Sequence, residues 1–86
     1  MAGCGPIQYL SVVAWQAAHA VKAAEQAQAE KKAPYEYTSA VEYLHKARHL
    51  GGRAHYEDAV EFGRRAKDYA EKAQKLAQGK SRGTTP

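Results

Sequence analysis

Alanine recurs along this chain at intervals of three and four, and that spacing constrains the fold more than any other feature. From the start the pattern runs Ile7, Leu10, Ala14, Ala17, Val21, Ala24. Apolar residues alternating at three and four lie on one stripe of a helix, as in an a/d heptad seam. Near the end of the chain the stripe is Tyr56, Ala59, Gly63, Ala66, Ala70, Ala73, Ala77. A face built of such small residues lets two helix backbones approach closely. No stretch alternates apolar and polar positions with β-branched residues, so no strand competes.

Punctuation divides the chain into three helical stretches. The first spans about 7–32, with Val12, Val13 and Trp15 as a second apolar face beside the seam. It grows polar through Ala-Glu-Gln-Ala-Gln-Ala-Glu-Lys-Lys, which are strong helix formers. Pro34 interrupts it and suits the first turn of a second helix. That helix spans about 34–50 on the stripe Tyr37, Ala40, Val41, Leu44, Ala47, Leu50, and Gly51-Gly52 is expected to end it. The third spans about 54–78, with Phe62, Tyr69 and Leu76 as a bulkier edge every seven residues. Glu61–Arg65, Asp68–Lys72 and Glu71–Lys75 are its i,i+4 charge pairs. Gly79 is expected to stop it. The reading is an all-α fold: an antiparallel hairpin plus an N-terminal Ala-rich helix. The organisation is a head 1–6, one helical domain 7–78 and a disordered polar tail 79–86.

Composition removes whole classes of function. A chain of 86 residues forms one domain at most, with little room to enclose a pocket. One Cys forms no internal disulfide and supports no multi-Cys zinc site. No run of 18 apolar residues exists to span a membrane as a helix, and neither GxxxxGK[ST] nor GxGxxG is present. The net charge of +4 is uneven: Lys80 and Arg82 in the tail supply half of it. The helical part is nearly balanced, which speaks against a broad nucleic-acid footprint. Alanine buries little area, so a domain of this size invites association with itself or a partner.

The head, Met1-Ala2-Gly3-Cys4-Gly5, resembles a bacterial lipobox, in which small residues precede a Cys that becomes the lipidated first residue of the mature chain. Met1 stands where Leu is usual, and no apolar signal region precedes it here, so the expectation is that the natural start lies upstream. Several acyl chains on Cys4 give stable anchoring, at about 0.8 kcal/mol per buried CH₂. Gly5 rather than Asp after the Cys implies, by the enterobacterial sorting pattern, delivery to the outer membrane. Residues 34–78 resemble the helical hairpin of small proteobacterial envelope lipoproteins carrying a domain of unknown function. The motifs are Ala-Pro-Tyr-Glu-Tyr, a Tyr-Leu-x-Lys-Ala turn, a Gly loop, and Tyr-Glu-Asp-Ala-Val-Glu-Phe followed by repeated Ala. The same segment is similar to half of a tetratricopeptide array, short of the three or so repeats such solenoids need. The resemblance implies architecture and location, with no catalytic residue to carry over.

Candidate chemistry is sparse. His45 and His49 stand at i,i+4, a spacing able to chelate a metal, and His55 follows the loop. Cationic His beside Lys46 and Arg48 suits a helix C-terminus. The pair is therefore a weak metal candidate, and no cofactor is expected. Ser11, Ser39 and Ser81 lack a triad or elbow context, so no enzyme activity is expected. Arg64-Arg65-Ala66-Lys67 sits among Glu61, Asp68 and Glu71 and reads as a solvated face. Six tyrosines are many for this length, and Tyr serves both helix edges and binding surfaces. Trp15, off the heptad seam, with Tyr9, Tyr35 and Tyr43, forms the candidate partner surface. The expected partners are a membrane, through the lipid on Cys4, and an envelope protein or a second copy. No nucleic acid or small-molecule substrate is expected. The functional expectation is a non-enzymatic, lipid-anchored helical module with a structural or protein-interaction role on the periplasmic face of the outer membrane. The alternative is an unlipidated, soluble cytosolic adaptor or assembly subunit.

Overall fold

The computed structural model describes residues 5–83, with side chains described over 9–79. Cys4 and the rest of the head before Gly5 lie outside the described residues, as do 84–86. Four helices follow in order: α1 (Gly5–Gln26), α2 (Ala29–Lys32), α3 (Pro34–Gly52) and α4 (Tyr56–Gly83), with no strand among the described residues. The all-α expectation holds.

The helices pack in levels that fix their directions. Leu10, Gly51 and Ala59 meet at one end. Val13 and Ala47 both lie against Gly63 at the next level, and Ala17, Leu44 and Ala66 cluster below them. Ala24, Ala29, Ala33, Ala73 and Ala77 close the other end, with Tyr37 against them. Numbers on α1 and α4 rise together, so these helices are parallel. Numbers on α3 fall against both, so α3 is antiparallel to each. The result is an elongated three-helix bundle, 55 × 19 × 15 Å, with α2 as a one-turn corner between α1 and α3.

The core is alanine. Ala17, Ala24, Ala29, Ala40, Ala47, Ala59, Ala66, Ala70, Ala73 and Ala77 have no accessible surface, and among the described residues only Val13 and Leu44 add larger buried side chains. Each methyl contributes about 0.8 kcal/mol, so cohesion comes from close backbone approach over many levels. Two glycines permit the closest approaches. A Cβ at Gly51 would sit 2.8 Å from Leu10 Cδ2, and one at Gly63 would sit 2.8 Å from Val13 Cγ1. Val13, expected on a second face, is thus a core residue facing the Gly63 notch.

Helix boundaries differ from the sequence reading in three places. The first helix is not continuous to residue 32: it breaks at Gln28, whose φ of 64° is left-handed. The local sequence contains no breaker, so the break comes from α1 folding back over the hairpin. Gly51 and Gly52 lie inside α3 rather than after it, because Gly51 is needed against Leu10. The reversal falls to Ala54 at φ 65°. The Ala54 N–H donates to the Gly51 carbonyl (3.1 Å) and the His55 N–H to the Leu50 carbonyl (2.9 Å), a Schellman closure with Ala where Gly is usual. The last helix starts at Tyr56, after that closure. It also runs through Gly79 to Gly83. One exposed Gly costs a helix only about 1 kcal/mol, so of the expected disordered tail, 79–83 is helical.

Candidate interaction surface

Large side chains, excluded from an alanine core, collect outside it in two groups. The first lies on the outer face of α1. Trp15 is 66% exposed, Val12 51% and Tyr9 46%. The Trp15 and His19 rings, one turn apart, lie 5.2 Å apart between centroids. At the α1–α4 boundary, Arg64 Nη2 donates a hydrogen bond to the Tyr9 hydroxyl, and its guanidinium stands 5.3 Å from the Tyr9 ring centroid. That hydrogen bond, with the adjoining phenol, holds the Arg64 pKa above its ordinary value. An open depression of ≈ 310 Å³ beside this pair is floored by Val12 and Val13 and edged by Gln16, Arg64, Lys67 and Asp68.

The second group is a ladder along the α3–α4 edge. Tyr43 stacks on Phe62 (5.6 Å, 21°) and on Tyr69 (5.6 Å, 11°), and Tyr35 meets Tyr69 edge-on (6.1 Å, 83°). Cations cover it. Lys46 Nζ lies 5.0 Å from the Phe62 centroid, and the Arg65 guanidinium 5.6 Å from Phe62 and 6.0 Å from Tyr43. Arg65 is itself paired with Glu61 at 2.7 Å. The hydrogen bond with Tyr35, then its proximity and partial burial, raise the Tyr69 pKa against the opposing pull of Arg65.

The residues singled out from sequence therefore part company. Trp15, Tyr9 and Tyr35 present surface outward, Tyr35 being 67% exposed. Tyr43 is half-buried inside the ladder. The bulky edge of Phe62 and Tyr69 was visible in the heptad spacing, but its pairing with Tyr43 needs the cross-helix register. Arg64 sits in a run that reads as solvated, and no local signal ties it to Tyr9, far away in sequence.

His45, His49 and His55 are exposed, and among the described residues no group of three or more His, Cys, Asp or Glu is placed to hold a metal. Ser11 is exposed, and Ser39 lines a second open depression with Glu42, Tyr43 and Lys46. Among the described residues no polar or charged side chain is buried. The geometry thus offers apolar and aromatic contact surface edged by cations, which is the chemistry of association. No described helix is long and apolar enough to cross a membrane.

Neither a curated protein nor a solved structure matches the chain. A family model described as a domain of unknown function, DUF4398, matches residues 15–82, from Trp15 on α1 to the last turn of α4. That span takes in every level of the bundle from Ala17 downward and the whole aromatic ladder, and the chain belongs to the DUF4398 family.

Proposed function

We propose that this chain is a non-enzymatic interaction module of the bacterial envelope, anchored by lipid at Cys4 and presenting the outer face of α1 to a protein partner. The observation that carries the reading is the inversion of side-chain size. Alanine fills the inside, while Trp15, Val12 and Tyr9 stand in solvent on one helix. Trp and Tyr are enriched among the residues that dominate binding energy at protein interfaces, and a grouped rather than scattered exposure of apolar side chains marks an interaction site. The anchor rests on the Ala-Gly-Cys sequence of the head. Attachment at Cys4 would put the membrane at the α1 N-terminal end, within two turns of Tyr9. The alternation of antiparallel helices, packed through Ala and edged by Tyr, supports the likeness to a tetratricopeptide pair.

Intact mass after expression in a bacterial host from the native upstream region tests the anchor. A membrane-extracted species beginning at Cys4 and heavier by acyl chains supports it. An unmodified soluble species moves the reading to a cytosolic adaptor. A photo-crosslinking residue at position 15 tests the surface separately: one discrete adduct supports it, and none, with adducts from position 35 instead, moves the interface to the ladder.

A further inference from the structure

The segment from Ala24 to Lys32 holds only Ala, Glu, Gln and Lys, every one a strong helix former. Nothing local asks the helix to stop. Yet Gln28 takes φ 64° and ψ 33°, a conformation that L residues other than Gly adopt at a cost. The break exists because α1 folds back onto its own α3 and α4. Ala24 above it and Ala29 below it belong to one buried cluster with Ala73 and Ala77.

Local and tertiary preferences therefore oppose each other at one residue. A continuous helix through 27 and 28 restores the regular backbone ladder and removes the left-handed residue. It also carries α1 away from its own hairpin, uncovering Ala47, Ala66 and the Gly51 and Gly63 notches. The best available occupant for that groove is another α1. Its Leu10 and Val13 side chains fill the two notches, where a Cβ would come within 2.8 Å of them.

We propose that two copies of this chain form a dimer by exchanging α1, with residues 5–32 of each straightened into one helix. Every contact between α1 and the α3–α4 hairpin is re-formed between copies, so no new surface is required there. Two left-handed hinges disappear per dimer, set against the cost of bringing two chains together. The dimer is accordingly concentration-dependent. It does not depend on the lipid anchor, and Cys4→Ser protein is used throughout.

The experiment has two readouts. Mass by light scattering is followed over concentration for the parent, Gln28→Gly and Gln28→Ala. Glycine removes the hinge penalty and weakens the straight helix, so it should raise the dimer dissociation constant by about tenfold per hinge, roughly a hundredfold per dimer. Alanine should lower it, since it favours the straight helix. Copies carrying Ala17→Cys and copies carrying Ala66→Cys are also unfolded together, refolded and oxidised. Because Ala17 and Ala66 belong to one cluster, a disulfide joining the two kinds of copy is expected only if α1 of one packs on α4 of the other. Monomer at every concentration for parent and Gln28→Ala overturns the proposal. So does a dimer that fails to form this disulfide, or one whose dissociation constant ignores Gln28→Gly.

Discussion

Helix α4 is flanked by α1 on one side and α3 on the other, and the two seams are filled differently. Against α1 the contacts are Val13 in the Gly63 notch and Ala17 in a cluster with Ala66 and Leu44, with no aromatic side chain buried. Against α3 the buried line is also small, but the edge carries Phe62, Tyr43, Tyr69 and Tyr35 in a stacked ladder capped by Lys46 and Arg65. Stacked aromatic pairs add about 0.5–1.5 kcal/mol each beyond area burial. The hairpin α3–α4 is thus stapled from outside along its length, whereas α1 is held mainly by fit, with the Tyr9–Arg64 contact at its rim. A seam held by fit is sensitive to any added atom. A seam held by a ladder is sensitive to removal.

That contrast is breakable. The largest effect is expected for Gly63→Leu, which drives a side chain into Val13. Overpacking of this kind costs about 3 kcal/mol, and urea titration should show it, with amide exchange accelerating in α1 before α3 and α4. Uniform acceleration in all three helices would mean the seams are not separable. Next comes Tyr43→Ala, which removes the middle of the ladder. A loss of about 2 kcal/mol is expected, now with exchange rising in α3 while α1 keeps its protection relative to global unfolding. A smaller change of opposite sign is expected at the connection between α3 and α4. Ala54→Gly relieves the left-handed residue and should raise the melting midpoint, by about 1 kcal/mol of stability.

The smallest effect concerns Tyr37, which ties α3 to the α1–α2 corner. Partial burial first, then the carboxylates of Glu25 and Glu30, raise its pKa above the ordinary 10.0. The folded state therefore holds the phenol proton more tightly than the unfolded chain does. Its contribution is complete below the unfolded value and is lost as pH rises through the folded one. Above pH 10, stability of the parent should fall more steeply than that of Tyr37→Phe in paired denaturant titrations.

The sequence made the buried stripes of α3 and α4 readable, because heptad spacing is a local property: Ala40, Leu44, Ala47, Ala59, Ala66, Ala70, Ala73 and Ala77 are all buried. Properties that depend on a neighbour were not readable. Val13 and Ala14 are both apolar and adjacent, and only the Gly63 notch on another helix decides that Val13 is the deeper one. Gly51-Gly52 resembled a stop, yet Gly51 serves packing and Ala54 makes the turn. The Gln28 break left no mark among helix formers, since it is imposed by closure of the bundle. For the candidate surface, the exposure of Trp15 followed from its place off the seam. The capture of Tyr43 by Phe62 and Tyr69, and of Tyr9 by Arg64, required the register between helices.

An alanine interior also reverses the usual direction of mutational damage. Most cores fail when a Leu or Phe is trimmed and a void opens. Here there is almost nothing to trim, and nearly every substitution at a buried position, Gly aside, adds atoms to a space already closed. Drift at these sites can only push the helices apart. A lineage carrying this bundle has room to vary its rim and its exposed rings, while the width of its interior is held at a single methyl group.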